Sequence, residues 1–416
     1  MILIAVAALF GGLFLFKYPF WGAVGVAFAA GSNVSSFLPS VVSPIILLSL
    51  SAVLARKLLR SELSVYMPPV FLWGILLFTW HTTTILWGGA YDQIQPLHYV
   101  RLILIMLAVL WCIETPKQLI IVMAAAALGI VFSVAVTIHG LIGFFSSGAL
   151  VQSEAAAGRV SEARFFGTWT DPNIMGQSIV PILALCFAFF RSRLSFWLRC
   201  LAVVTMVVGI LGVLLSLSRG AMVLTATALV LMVWADKYRW VFAGMVSLMI
   251  ALMLIIIPSD VVGRATSLGK GTQDRSLSQR AEMVRGGIHL IERSFPFGVG
   301  AGNIQTYSAD YSLSLRKGIV AHNGYVDILV ESGLIGLVLL LGAYASSARS
   351  IRIRVWRTRP GDLEQNTGIA LLISLVAVVM VNIFSSYWSY DLLWFILALI
   401  AARSHVFRRE PKIVLA

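Results

Sequence analysis

The chain has 416 residues, of which 59% are hydrophobic and only 12% are charged. Soluble domains carry about 25% charged residues, so this composition excludes an ordinary soluble protein and indicates a polytopic membrane protein. The net charge of +13 would favour nucleic-acid binding in a soluble protein. In a membrane protein, basic residues at the ends of loops report topology instead.

Apolar segments follow one another along the chain and predict membrane helices. Spanning a bilayer as helix takes about 20 apolar residues, and the sequence does not show the alternation of barrel strands, so the predicted fold is all-α. We predict about 12 transmembrane helices, with a range of about 11 to 13. The first segment has no preceding basic region and no convincing cleavage site, so we interpret it as a retained helix. The segments lie near residues 2–16, 19–38, 41–55, 69–87, 98–113, 118–145, 173–190, 198–217, 220–235, 239–258, 324–345, 366–384 and 388–402.

Basic residues in the connections predict the orientation of these helices. Five basic clusters alternate with the helices so that all five can face the cytoplasm. They lie at residues 56–60, 191–199, 237–239, 349–359 and 403–412. The predicted organisation is an N-terminal transmembrane bundle, a large outer loop that carries the chemistry, C-terminal transmembrane helices and a cytoplasmic tail, at residues 1–258, 259–323, 324–402 and 403–416.

The large outer loop is basic. From Ser259 to Ala321 it carries eight basic and five acidic residues. Positive charge on the outer side runs against the usual bias, although that bias is weak for loops longer than about 60 residues. The cations therefore either serve an anionic ligand or form a solvated charged face, and the sequence leaves both interpretations open.

The middle of this loop predicts a surface helix. Ser276 and Gln279 have the spacing of a capping box, which favours a helix from Leu277 to Ser294. Arg285 and His289 lie four apart on one face. A second face carries an apolar stripe that suits the membrane surface, formed by Leu277, Ala281, Val284, Ile288 and Ile291. A Gly-rich turn follows at residues 297–303.

Three ionisable residues lie at or inside the predicted helices. Arg219 stands between two apolar segments on the outer side, where a lone cation needs a partner or an anionic ligand, or else snorkels to the interface. His322 directly precedes a helix, whose positive end favours a neutral imidazole that could act as a general base; the alternative is a capping or packing histidine. Glu331 must be paired, protonated or turned to the bundle interior, and we interpret it as structural.

A second outer segment, residues 164–173, mixes a cation, aromatic rings and an Asp-Pro-Asn helix start. Aromatic rings beside polar groups suit both sugar faces and membrane interfaces. For Trp169 alone, an interfacial belt residue is the favoured interpretation. Asp171 and Asp92 belong to no cluster that resembles a metal site.

Short stretches of the second half together resemble the O-antigen ligase and O-antigen polymerase family of bacterial membrane glycosyltransferases. The matching stretches are Leu217–Ala221, Gln279–Ala281 with Pro296–Gly300, and Ala321–Tyr325 with Glu331–Gly336; Gly167–Asn173 is a weaker fourth. The resemblance implies a helical fold like that of other glycosyltransferases that use lipid-linked sugars, multi-pass in the bacterial inner membrane, with a periplasmic active site. The donor would be a glycan on undecaprenyl pyrophosphate. The acceptor would be a lipid A core sugar in the ligase branch or a lipid-linked repeat in the polymerase branch.

The resemblance also implies site residues. Two arginines and one histidine are functional in the ligases, and by motif these fall on Arg219, Arg280 and His322. The arginines would stabilise the pyrophosphate, and the histidine would be a base or a positioning group. Additional contacts to donor or acceptor are expected from Arg164, Arg285 and Asn323. The transfer would be inverting and would need no metal and no cofactor.

The ligase branch is the predicted function, because one compact loop carries the Arg and His positions. A polymerase or a protein oligosaccharyltransferase would use the same class of donor. A transporter or flippase is a remoter alternative. It should show internal repeats and ionisable residues at mid-membrane, whereas here the candidate residues gather at one face and no internal repeat is apparent.

Overall fold

The computed structural model describes residues 11–36, 39–59, 66–88, 96–147, 167–169, 171–236, 239–240, 243–244, 247, 275–307, 322–355 and 362–409. No strand occurs within these ranges, and the all-α prediction is confirmed. The helices are α1 (Gly11–Lys17), α2 (Phe20–Ser32), α3 (Pro39–Leu59), α4 (Pro69–Thr83), α5 (Ile85–Gly88), α6 (Pro96–Cys112), α7 (Pro116–Ser147), α8 (Pro172–Arg191), α9 (Phe196–Leu215), α10 (Arg219–Ala235), α11 (Arg275–Ser294), α12 (Asn303–Tyr307), α13 (Gly324–Val355), α14 (Leu363–Phe384) and α15 (Asp391–Arg409).

Seven of the described helices are long and apolar enough to cross a membrane, and the bent pair α1 and α2 would make an eighth. The shorter helices α6 and α10 are also apolar. These features confirm a polytopic membrane protein, while the count of about 12 stays a prediction. The last helix runs to Arg409, past the predicted end at residue 402. Arg403 is buried in the bundle, where its Nε donates to Thr367 Oγ1 at 3.2 Å.

Polar contacts fix which helix ends lie together. Arg101 near the start of α6 places Nη2 2.9 Å from Oδ1 of Asp391, the first residue of α15. Ser35, just after α2, donates to Oδ2 of the same carboxylate at 3.0 Å. Asp391 therefore ties three chain segments at one end of the bundle. This end also holds α11 and α12, and we name it the loop end; the opposite end is the far end.

Helix α13 is broken at Gly333, whose φ of 65° and ψ of −166° are not helical. The side chain of Asn382 contacts both parts: its Oδ1 lies 2.1 Å from where a Cβ on Gly324 would be, and its Nδ2 donates to Tyr344 Oη at 3.0 Å. A straight helix would separate Gly324 from Tyr344 by about 30 Å, so the chain must fold back at Gly333. The prediction of one continuous helix over 324–345 was wrong. The two parts are a short arm, Gly324–Ser332, and a long arm, Leu334–Val355.

The Gly-rich turn after α11 inserts into this break. The backbone N–H of Val299 donates to Val330 O at 2.8 Å, and that of Gly300 donates to Glu331 O at 3.0 Å. In return, Leu334 N donates to Pro296 O at 2.8 Å. Backbone groups released by a helix break need new partners in a bilayer, and this turn supplies them. The interaction gives a physical reason why the Pro296–Gly300 and Glu331–Gly336 stretches occur in one chain.

Glu331 faces the bundle interior beside this turn, which is one of the three alternatives that the sequence left open. It is buried, and its carboxylate accepts hydrogen bonds from the backbone N–H groups of Gly302 and Ile304. His81 lies next to it, with Nε2 4.0 Å from the carboxylate and Nδ1 2.6 Å from Ser332 Oγ. Glu331 and His81 thus belong to the packing of the break.

The predicted loop helix is confirmed as α11, but it buries a different face from the predicted stripe. Met283 and Leu290 form a small cluster with Val330 of the short arm. Gly287 allows close approach, since a Cβ there would lie 2.8 Å from Val326. The stripe residues Ala281 and Ile288 are instead exposed. The face with glycines packs on α13, with Ile291 of the stripe at its edge, and Ala281 and Ile288 are left outward, available to a membrane surface.

Candidate active site

Three helices begin around the loop-end terminus of α14. Gly220 in the first turn of α10 faces α8 and α14, because a Cβ on it would lie 3.1 Å from Gln177 Nε2 and 3.2 Å from Phe384. On another side of the same terminus, Gly324 at the start of α13 donates its N–H to Ser385 O at 3.1 Å. The N-terminal ends of α8, α10 and α13 therefore meet at one place. Helix N-termini carry partial positive charge and together favour an anionic ligand.

Arg219 is the first residue of α10 and is half-buried. The Ser218 side chain caps this helix by accepting from Ala221 N at 3.4 Å. Leu217, two residues before Arg219, has a φ of 52°, which is strained for any residue other than glycine. The tight turn after α9 thus presents Arg219 at the point where the three helices begin.

His322 lies two residues before the short arm and is half-buried. Its φ of 52° is also in the left-handed region. Asn323 caps the arm, since its Oδ1 accepts from the N–H groups of Tyr325 and Val326, both at 3.1 Å. Because this oxygen already accepts hydrogen bonds from the helix, the expected contact of Asn323 with substrate would be made by its amide nitrogen. Strained backbone at both Leu217 and His322 is typical of functional sites.

Arg280 and Arg285, both predicted site residues, lie on different faces of α11. Arg280 is half-buried, three residues before Met283 and seven before Gly287, on the face that packs against the short arm. Arg285 is exposed on the other side of the helix. The structure therefore brings Arg280 towards His322 and leaves Arg285 outside. Arg164 lies outside the described residues.

The surroundings of His322 favour its neutral form. Burial lowers the pKa of the imidazole below 6.5, and the positive charge of Arg280 lowers it further, while the Asp171 carboxylate opposes both. Asp171 caps α8 by accepting from Asn173 N at 2.6 Å. Burial, together with the charge of Asp171, also raises the pKa of Tyr390 to about 12. These effects place Arg280, Asp171 and Tyr390 around the site.

Three polar residues beside the candidate site were not predicted from the sequence. Gln177, Asn382 and Ser385 are buried, and their side-chain oxygens have no hydrogen-bond partner among the described residues. A buried unpaired oxygen costs about 1–3 kcal/mol, so water or a hydroxyl-rich ligand would satisfy these atoms. The available signal was an amide side chain inside an apolar helix.

The segment before α8 docks into the bundle. Trp169 is 2% exposed, so its interpretation as a belt residue at the lipid interface was wrong. Next to it, Thr168 Oγ1 donates to Ser133 Oγ at 2.8 Å, and Asn33 Nδ2 donates to Thr168 O at 3.3 Å. These hydrogen bonds tie the segment to α2 and α7. In the ranges that the structure describes, no group of three His, Cys, Asp or Glu side chains could hold a metal ion.

The fold and the site define a polytopic helical membrane protein with arginines and a neutral histidine around converging helix N-termini. Residues 202–341 match the model of the family described as O-antigen ligase, over about a third of the chain. The matched segment contains Arg219, Arg280 and His322. The resemblance to this family is confirmed over the segment, and it supports an activity of the O-antigen ligase type. A search of curated proteins found no match.

Proposed function

We propose that this protein transfers a glycan from undecaprenyl pyrophosphate to a sugar hydroxyl of lipid A core. The reaction takes place at the periplasmic face of the inner membrane, at the loop end of the bundle. The proposal rests on the positions of Arg219 and His322, which both lie inside the segment that matches the ligase family. The two residues flank the end of α14, at Phe384 and Ser385. An anion-binding group and a proton acceptor at one site are what such a transfer needs.

The arginines act on the leaving group. Breaking the glycosyl phosphate bond develops negative charge on the pyrophosphate, and guanidinium groups offer forked donors to phosphate oxygens. Arg219 stands at the start of α10, and Arg280 faces the same region from α11. The N-terminal ends of α8, α10 and α13 add fixed partial charges of the same sign.

His322 acts on the acceptor. Its neutral imidazole takes the proton of the acceptor hydroxyl while the hydroxyl oxygen forms a bond to the anomeric carbon. The bond from that carbon to the phosphate oxygen breaks, and undecaprenyl pyrophosphate leaves with the electron pair. Attack opposite to the leaving group inverts the anomeric centre. Because arginines neutralise the leaving group, the step needs no metal ion.

Other residues would position the substrates. Gln177, Asn382 and Ser385 offer buried oxygens to sugar hydroxyls at the meeting point of the helices. Arg164, Arg285 and Asn323 remain proposed contacts for the outer parts of donor or acceptor. The exposed place of Arg285 suits a phosphate or sugar at the membrane surface.

The test is transfer in vitro with purified protein, undecaprenyl-pyrophosphate glycan and a chelator. Lipid A core and a second lipid-linked repeat are supplied in parallel as acceptors. We expect glycan on lipid A core, at the same rate with and without chelator. Lengthened lipid-linked chains would instead make the protein a polymerase, and no product on either acceptor would contradict the proposal.

The pH dependence of transfer should report on His322. Activity falls as pH drops through the pKa of His322, since imidazolium cannot accept a proton. Arg280 lowers this pKa and Asp171 raises it. The acid limb of kcat/KM should therefore move to higher pH in Arg280→Gln and to lower pH in Asp171→Asn. Asparagine keeps a capping oxygen for α8, so Asp171→Asn changes charge with little change in fold.

The measurement is kcat/KM between about pH 4.5 and 8 for the wild type and both variants. The low activity expected of Arg280→Gln does not prevent the comparison, because the pH at which kcat/KM falls does not depend on its maximal value. Limbs that coincide in all three proteins would show that His322 is not the titrating base.

A further inference from the structure

A cavity of about 340 Å³ lies at the far end of the bundle, away from the candidate active site. It opens between the end of α1, the start of α2, the end of α3, the turn from α6 to α7 and the end of α15. Its volume is at the lower end of the range for small-ligand pockets. Cations and aromatic rings dominate the lining, among them Lys17, Arg56, Lys57, Tyr18, Tyr66 and Trp111.

Aromatic rings and backbone carbonyl oxygens contact the cations of this cavity. The Lys57 ammonium lies 5.8 Å from the centroid of the Trp111 ring, and that of Lys17 lies 5.3 Å from the Tyr18 ring. Arg56 Nη2 donates to the carbonyl oxygens of Phe16, at 3.4 Å, and Lys17. These contacts fix the positions of the three cations at the cavity. Among the described residues that line the cavity, Glu114 is the one carboxylate.

The surroundings place the cavity at the level of lipid headgroups. Tyr18 and Trp21 at its rim are exposed, as aromatic residues at a membrane interface usually are. Exposed apolar side chains continue from the rim along α1 and α3, including Leu13, Phe14 and Leu58. A cationic cavity beside an apolar outer surface is complementary to a phosphate that carries acyl chains.

We propose that this cavity binds the headgroup of an anionic glycerophospholipid of the phosphatidylglycerol type. The phosphate lies between Lys17, Arg56 and Lys57, and the acyl chains lie along the exposed apolar side chains of α1 and α3. Cations that serve topology alone require no cavity and no aromatic support. Basic pockets between helices on the cytoplasmic side are a recurrent way to bind anionic lipid headgroups.

The test is native mass spectrometry of the purified protein in a neutral detergent, titrated with phosphatidylglycerol or with phosphatidylcholine of the same chains. We expect a bound phosphatidylglycerol that phosphatidylcholine does not replace. Lys57→Gln should weaken it about fivefold, since each basic residue near a lipid surface contributes that much. Lys117→Gln is the matched control, because Lys117 is exposed at the same end but does not line the cavity.

Lys17→Gln is a second variant, at an exposed position where the fold does not depend on the side chain. It should weaken phosphatidylglycerol binding as Lys57→Gln does. Equal binding by the wild type and both cavity variants would overturn the proposal, as would equal binding of the two lipids. Glycerol 3-phosphate distinguishes a soluble ligand from a lipid: if it bound as tightly as phosphatidylglycerol, the cavity would be a phosphate site and not a lipid site.

Discussion

Replacing Arg219 with lysine is expected to slow glycan transfer about 10²–10³-fold, as the loss of one preorganised donor to developing charge does in other enzymes. The Ser218 cap and the strained turn at Leu217 hold the first residue of α10 in one orientation. A guanidinium there can donate to two phosphate oxygens at once, whereas lysine keeps the charge but is a flexible point donor. The measurement is the transfer rate at saturating donor, with thermal unfolding to check the fold.

The control is Arg352→Lys, which makes the same change at an exposed site on the long arm. It should transfer glycan at the wild-type rate. Arg280→Lys should lower the transfer rate as Arg219→Lys does, because both arginines are proposed to bind the pyrophosphate. A wild-type rate in Arg219→Lys would remove this residue from the mechanism.

Gly333→Ala is expected to destabilise the protein by about 2–6 kcal/mol, through backbone strain and overpacking together. The φ of 65° with ψ of −166° is a conformation that alanine avoids. A Cβ at this position would also lie 1.9 Å from the carbonyl oxygen of Pro296, in the turn that fills the break. Neither group can shift without loss of the hydrogen bonds between turn and arm. The measurement is the thermal unfolding midpoint in detergent.

Gly11→Ala is the matched control, since a Cβ on Gly11 has no neighbour within 4 Å in the part of the chain that the structure describes. Its effect should stay within about 0.5 kcal/mol. If Gly333→Ala unfolded at the wild-type temperature, the break and its filling turn would contribute little to stability. The fold-back of α13 would then need another cause.

Hydropathy predicted most helices because a bilayer leaves few alternatives. The predicted segment 173–190 is α8 at Pro172–Arg191, and the predicted segment 118–145 is α7 at Pro116–Ser147. The functional candidates came from motif resemblance: Arg219 and His322 lie beside Gly220 and Gly324, which contact one helix terminus. In this respect the sequence was informative, since each residue stands directly before an apolar run.

The break at Gly333 could not be predicted from the sequence around it. A glycine inside an apolar helix is common in membrane proteins, and this one breaks the helix because Pro296–Gly300 supplies the lost hydrogen bonds from elsewhere in the chain. The choice between Arg280 and Arg285 also depended on tertiary packing. Both are arginines of one amphipathic helix, and the glycine face decided which of them turns inward.

The packing of α11 against the short arm determines the distance between Arg280 and His322. The two elements lie side by side, joined at one end by the turn at Pro296–Gly300, whose hydrogen bonds close a frame with the break at Gly333. Arg280 and His322 sit at the other, open end of that frame. Their spacing is therefore set by the packing of α11 on the short arm and by the hydrogen bonds of the turn, so a change in the turn would alter the distance between the two groups although it touches neither of them.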